Sequence, residues 1–246
     1  MPEAWLPVAL AFLAGGLVKG AVGLGLPTVV LASLAPYMPL SQAAAILVIP
    51  SLVTNVWQLF GGPWPARSAL RLAPLLLGLV VGTLLAPIGM ATVNTHVATL
   101  CLGGLLVAYA LVGLANRTVS LPAGTERWVS PTLGLVCGAL NAATGLFVVP
   151  LVPYLQSLDM EKDELVQALA LCFTAGALAL ALRLGMDGTP VLAELAGSAL
   201  ALAAALVGMP LGKALRDRTS QQVFRKCLFT VLLLVGGGLA AKALLA

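Results

Sequence analysis

Charge is what this sequence has least of. Only 9% of its 246 residues are Asp, Glu, Lys or Arg, whereas 60% are hydrophobic. A soluble globular domain carries about 25% charged residues, so this composition excludes an ordinary soluble protein. Apolar runs of the length that spans a bilayer recur along the whole chain. We therefore expect an all-α integral membrane protein surrounded by lipid, with no nucleic-acid partner.

Acidic side chains and metal-ligand patterns are also scarce. Apart from Glu194, near the start of its run, no Asp or Glu lies in the interior of an apolar run, which disfavours a carboxylate proton relay and a site for hard cations. The four cysteines are far apart and lack metal-ligand spacing. The chain contains no phosphate loop and no Ser–His–Asp set. We expect neither an enzyme nor a bound cofactor.

Eight apolar blocks can be marked along the chain. They cover 4–36, 41–60, 69–90, 93–115, 128–157, 164–186, 190–212 and 222–246. The first and fifth blocks are the longest, and Gly and Pro interrupt them most often. Such interruptions within a membrane are tolerated where the backbone is buried in protein or lines a cavity.

The first and fifth blocks also resemble each other. Gly16-Leu-Val-Lys-Gly20-Ala21 aligns without a gap on Gly134-Leu-Val-Cys-Gly138-Ala139. A weaker match places Gly82 over Gly208. Because Gly-x-x-x-Gly is common in packed membrane helices, its recurrence in register carries more weight than the motif itself. The match indicates an internal duplication, as in many transporters.

The distribution of Lys and Arg predicts how the two halves are oriented. If the first and fifth blocks are hairpins, the loops 61–71, 116–128, 157–163 and 213–226 share one face. That face carries ten Lys and Arg residues, and the other only Arg183 and Lys242. The positive-inside rule then places these loops in the cytoplasm and both termini outside it. We predict two inverted repeats, 1–118 and 119–246, each a broken or re-entrant helical hairpin followed by three transmembrane helices.

Each predicted hairpin turns at a glycine-rich tip, and the first tip carries a lysine. A cation at bilayer depth costs about 2.5–3.5 kcal/mol, so Lys19 is a candidate functional residue. Helix N-termini at depth offer N–H groups that bind anions. The candidate anion ligands at the two tips are Lys19, Gly20, Gly23, Gly25, Thr28, Cys137, Gly138, Asn141, Thr144 and Gly145. Two other interpretations stay open: Lys19 reaching to the membrane surface, and glycines that only pack helices.

The second block adds three polar candidates. Thr54, Asn55 and Gln58 follow Pro50, a residue that can open a helix, and share one helical face. Polar side chains in a lipid-buried helix turn inward, where they line a pore or join helices by hydrogen bonds. Both roles stay open, and we include the three in the predicted substrate-binding set.

These features together resemble a known family. The paired glycine-rich segments, the segment Ile49-Pro-Ser-Leu-Val-Thr-Asn-Val-Trp-Gln58 and the Arg-rich loop before the last helix are similar to the TauE/SafE sulfite-exporter family. The resemblance implies a multi-pass protein of the bacterial inner membrane that moves sulfite, sulfonates or related organosulfur anions. The first tip reads Val-Gly-Leu-Gly-Leu-Pro instead of the family's commoner run of three glycines.

The leading hypothesis is a secondary or potential-driven exporter of a small sulfur-containing anion. A membrane potential, negative inside, drives anions outward with roughly 2.3 kcal/mol per charge per 100 mV, without a proton relay. Three alternatives stay open: an anion channel, an importer of a related anion, and a membrane partner without transport. A homo-oligomer is compatible with each of them.

Overall fold

The computed structural model describes residues 5–60, 66–90, 94–115, 125–158, 160–189, 191–218 and 221–245. These residues contain helices and no strand, which confirms the predicted all-α class. The helices are α1 (Trp5–Val22), α2 (Leu26–Leu34), α3 (Leu40–Phe60), α4 (Ala66–Leu85), α5 (Thr95–Ala115), α6 (Glu126–Thr144), α7 (Val148–Gln156), α8 (Lys162–Met186), α9 (Leu195–Arg218) and α10 (Gln221–Leu245). A 3₁₀ turn, Val191–Glu194, precedes α9.

Several helices are suited to crossing a membrane. In the described part of the chain, four stretches have both the length and the apolar composition that a span needs. They are Leu40–Phe60, His96–Ala115, Glu164–Met186 and Val191–Leu215. Trp5–Ala21, Ala69–Leu85 and Leu232–Ala241 are shorter apolar helices. The chain is a multi-pass membrane protein, as its composition predicts.

The first and fifth apolar blocks are both broken into two helices. The breaks occur at Gly23 (φ 86°) and Gly25 (φ 104°) in the first block and at Gly145 (φ 71°) in the fifth block. These left-handed backbone angles favour glycine, which has no Cβ. The two arms of each broken block differ in length: α2 and α7 have nine residues each, whereas α1 has 18 and α6 has 19. The arms are unequal because the glycines that break the helix lie late in each block.

Glycines bring α1 and α9 into close backbone contact. A Cβ added at Gly20 would collide with the carbonyl oxygen of Met209, and one added at Gly212 would collide with that of Leu17. The facing glycines therefore let the two helices approach more closely than larger residues would. Gly20 thus has a packing role that is separate from any contact with a substrate.

The same crossing recurs between α4 and α6. A Cβ at Gly138 would collide with the carbonyl oxygen of Leu79, and one at Gly82 with that of Leu135. The long arm of each hairpin therefore packs against the fourth helix of the other half of the chain. Each half thus packs against the other through both crossings, and the two halves form one body.

These crossings correct one detail of the sequence alignment. Gly208 lies against the carbonyl oxygen of Leu13, and Gly78 lies against that of Pro131. Leu13 and Pro131 are equivalent when residue 16 is aligned with residue 134. The equivalent of Gly208 is therefore Gly78, and the predicted match with Gly82 is wrong by one helical turn. A shift of four residues still places glycine over glycine, so the sequence alone does not reveal it.

Two arginines show which helix ends lie together. Arg71 Nε donates to Glu126 Oε1 at 2.6 Å, and Arg71 Nη1 donates to the Leu158 carbonyl oxygen at 3.3 Å. The starts of α4 and α6 and the end of α7 therefore lie at one end of the bundle. Arg183 Nη1 donates to the Leu84 carbonyl oxygen at 2.9 Å, so α4 and α8 end together.

The helix crossings make a direct prediction for stability. We expect Gly212→Ala to lower the free energy of unfolding by about 1–3 kcal/mol, because the added methyl group forces α1 and α9 apart. The matched control is Gly237→Ala on α10, where an added Cβ meets nothing within 4 Å. Equilibrium unfolding in detergent micelles measures both. Equal stability of the two variants would contradict the close α1–α9 contact.

Candidate functional site

The ammonium group of Lys19 lies inside the helix bundle. Lys19 occupies the last turn of α1 and is only 4% exposed. Its Nζ donates to Thr54 Oγ1 at 3.0 Å and to Asn55 Oδ1, both on α3. The side chain is therefore enclosed by protein and held against α3. Among the described residues, no carboxylate forms an ion pair with Lys19, so its charge is buried without a fixed counter-charge.

A proline determines how α3 presents the oxygen of Thr54. Pro50 has no N–H, so the Ile46 carbonyl loses its usual helical partner, and the Ser198 hydroxyl of α9 donates to it at 3.2 Å. The Thr54 hydroxyl donates to the Pro50 carbonyl at 2.7 Å. Its proton is therefore engaged, and Thr54 Oγ1 can accept from Lys19. The helix itself continues through Pro50 without interruption.

Asn55 connects Lys19 to a serine that the sequence analysis does not select. Asn55 Nδ2 donates to Ser51 Oγ at 3.1 Å, and Ser51 is 4% exposed. An ammonium group has donors and no acceptor, so the amide must present its oxygen to Lys19 and its nitrogen to Ser51. The three side chains form a series of hydrogen bonds with one direction, which we call the Lys19–Asn55–Ser51 chain.

The Lys19–Asn55–Ser51 chain ends at a cavity between the two halves. This cavity has a volume of about 20 Å³, which is room for about one water molecule. Its lining residues come from α2, α3, α6, α8 and the break before α7: Pro27, Ala44, Leu47, Val48, Ser51, Asn141, Gly145, Phe147, Phe173, Ala177 and Leu180. Both predicted tips therefore contribute to one cavity, the first through Pro27 and the second through Asn141 and Gly145.

The second half lacks a charge at the equivalent position. Cys137 aligns with Lys19, and its thiol contacts the Phe147 carbonyl oxygen at 3.9 Å. Asn141 Nδ2 donates to Thr83 Oγ1 at 3.2 Å and to the Gly176 carbonyl oxygen at 3.0 Å. On the side formed by the first half, the cavity is therefore connected to a cation by hydrogen bonds. On the side formed by the second half, its polar groups are neutral.

The other predicted residues fall into different places. Gln58 Nε2 donates to the Gly23 carbonyl oxygen at 2.9 Å and so holds the first break against α3. Thr28, in the first turn of α2, is 1% exposed, and its hydroxyl has no hydrogen-bond partner within the described ranges. Thr144 donates to the Leu140 carbonyl of its own helix at 2.8 Å. Gly25 serves the first break, and Gly20 and Gly138 lie at the helix crossings.

A second pocket opens at the end of the bundle where α1, α3 and α9 begin. It has a volume of about 220 Å³, and Trp5, Gln42, Ile46 and Glu194 are among its lining residues. Gln42 Nε2 donates to Glu194 Oε1 at 2.9 Å. The acidic residue that the sequence analysis singles out therefore lies in this end pocket and not in the central cavity.

The buried ammonium makes a testable contribution to stability. We expect Asn55→Leu to lower the free energy of unfolding by about 1.5–3 kcal/mol, because Lys19 loses a charge-assisted hydrogen bond. In a Lys19→Met background the same change should cost less, because no ammonium is left without its partner. A double-mutant cycle, followed by unfolding in micelles, measures the difference. Additive effects would show that the two side chains do not interact.

Comparison with known families gives one finding. The family model described as Sulfite exporter TauE/SafE matches residues 8–239 of the chain. Among the curated proteins and the solved structures compared with the chain, none gives a match.

Proposed function

The chain belongs to the sulfite exporter TauE/SafE family of membrane transporters, and on this premise we propose that it exports a small sulfur oxyanion, such as sulfite or a sulfonate. We further propose the bacterial inner membrane as its location. The observation that carries the proposal is the buried ammonium of Lys19. Hydrogen bonds through Asn55 and Ser51 connect this ammonium to the cavity between the two halves.

The charge balance around Lys19 favours an anionic substrate. A buried charge is costly unless it is paired, and the Thr54 and Asn55 oxygens to which Lys19 donates are only neutral acceptors. Because the described residues place no carboxylate beside Lys19, a bound anion would provide the missing counter-charge. The Thr28 hydroxyl, which is buried and has no hydrogen-bond partner among the residues that the structure describes, is a further candidate donor to such an anion.

We propose that residues 1–118 and 119–246 are inverted repeats. α1 runs parallel to α9, because Gly16 lies against Ala205 and Gly20 against Met209. α9 begins where α8 and α4 end, since only residues 187–194 separate α8 from α9. α6, in contrast, begins where α4 begins. These contacts support opposite directions for the two hairpins, with the Arg71 end in the cytoplasm.

Labelling can test this arrangement. In a variant whose four native cysteines are replaced, Tyr37→Cys and Thr125→Cys each introduce one thiol next to a helix end. We expect a membrane-impermeant thiol reagent added to intact cells to label Tyr37→Cys only, because Tyr37 lies at the outer end and Thr125 at the cytoplasmic end. Labelling of both thiols from the outside would rule out inverted repeats.

The size of the central cavity favours a carrier over an open channel. Its volume of about 20 Å³ holds one water molecule, and an oxyanion with three oxygens needs more space. Movement of the anion therefore requires the two halves to shift, as in alternating access between repeats. A membrane potential that is negative inside would drive such a carrier in the export direction, with roughly 2.3 kcal/mol per charge per 100 mV.

Removal of the buried charge tests the proposed function. We expect Lys19→Met to reduce sulfite flux to background in proteoliposomes at a set potential, while the protein still inserts and purifies. The matched control is Lys213→Met, which removes an exposed lysine near the end of α9 and should leave the flux unchanged. Isotope-labelled sulfite measures both, and reversal of the potential tests the direction. Full flux in Lys19→Met would refute the role of this charge.

A further inference from the structure

We infer that, once the central cavity has widened to admit the transported anion, Ser51 donates the hydrogen bond that holds this anion there, and that Lys19 acts on it through Asn55. The inference rests on the proposed function and deepens it. It assigns the contact to a residue outside the predicted substrate-binding set, and it makes Lys19 and Asn55 positioning residues.

The direction of the hydrogen bonds follows from donor and acceptor counts. Lys19 can only donate, so it fixes the Asn55 amide with its oxygen toward α1. The Asn55 nitrogen then points to Ser51 Oγ, which accepts at 3.1 Å. With one lone pair engaged in this way, Ser51 keeps its own hydroxyl proton for donation.

The position of Ser51 shows where this proton can go. Within the described part of the chain, no protein group accepts a hydrogen bond from the Ser51 hydroxyl, whereas the Thr54 hydroxyl is engaged by the Pro50 carbonyl. Ser51 also lines the central cavity, and neither Lys19 nor Asn55 does. The cavity therefore receives the effect of the buried charge through a serine hydroxyl. Polarised hydrogen bonds of this kind strengthen one another in a low-dielectric interior.

The opposite wall of the cavity offers no comparable donor. Both Asn141 amide protons have acceptors, Thr83 Oγ1 and the Gly176 carbonyl oxygen. The remaining lining of the cavity is largely apolar, with Phe147 and Phe173 among its residues. Ser51 is thus the polarised donor on the cavity wall. A ligand with unprotonated oxygens can accept a hydrogen bond from this donor, whereas a cation would find no negatively charged side chain among the described residues of the cavity wall.

Affinity for the anion tests the role of Ser51. For the wild-type protein and its variants, sulfite affinity is measured from ligand-induced thermal stabilisation in detergent and from KM for flux in proteoliposomes. We expect Ser51→Ala to weaken both about tenfold or more, because it removes a hydrogen bond to a charged group. Ser51→Thr keeps the hydroxyl and should retain binding. The matched control is Ser130→Ala, which changes a buried serine on α6 that bonds Tyr154 and should keep the wild-type affinity.

A double variant distinguishes action through the Lys19–Asn55–Ser51 chain from independent contacts with the anion. If Lys19 acts through Asn55 and Ser51, then Asn55→Leu added to Ser51→Ala should weaken affinity no further than Ser51→Ala alone, because the hydroxyl through which Asn55 acts is already absent. If Ser51 and the Lys19 side contact the anion independently, the two weakening factors should multiply. Multiplying factors would overturn the inference that Lys19 acts through Asn55.

The possible results separate this inference from the proposed function. If the wild-type protein carries sulfite and Ser51→Ala binds it with unchanged affinity, the function stands and the role of Ser51 is refuted. If the wild-type protein carries no sulfite, the same binding series with sulfate, thiosulfate and taurine decides the role of Ser51 on its own. Absence of binding to all four compounds would overturn both.

Discussion

The structure depends on one buried interaction, the donation from the Lys19 ammonium to the oxygens of Thr54 and Asn55. Electrostatic interactions are stronger in a low-dielectric interior than in water, and the penalty for an unpaired charge is correspondingly larger. Neighbouring features hold the two partners in place. Ser198 supports the α3 backbone around Pro50, and Gln58 holds the chain break that follows Lys19. The polar residues of α3 thus act as a unit around one charge.

The two halves share a helix order but differ in their chemistry. Where the first half has Lys19, the second has Cys137, a small apolar side chain that contacts a backbone carbonyl. In a carrier built from inverted repeats, the substrate site lies at the interface of the repeats, and one repeat moves against the other around it. If the two halves are such repeats, as proposed above, the single charge of Lys19 makes their tips unequal.

Periodicity explains which parts of the site the sequence predicts. The spacing of Thr54 and Asn55 places both near the face that receives Lys19, and glycine content indicates the two breaks. The sequence does not single out Ser51, because a serine beside a proline forms no distinctive pattern. Its role depends on the hydrogen bond from Asn55, one helical turn later. Contacts between the halves, such as that of Asn141 with Thr83, depend on tertiary packing that one sequence does not encode locally. The predicted glycine ligands Gly20 and Gly138 illustrate the opposite problem, since the same residue type serves both close helix packing and backbone exposure.

The exchange of contacts between halves has a consequence for biosynthesis. α1 leaves the ribosome first, but the backbone groups that its glycines contact belong to residues 205 and 209 of α9. Until α9 is inserted, the glycine face of α1 has no partner in the membrane. Lys19, in contrast, finds Thr54 and Asn55 as soon as α3 is made. The nascent chain can therefore shelter its charge early, while closure of the bundle waits until nearly the whole polypeptide has been synthesised.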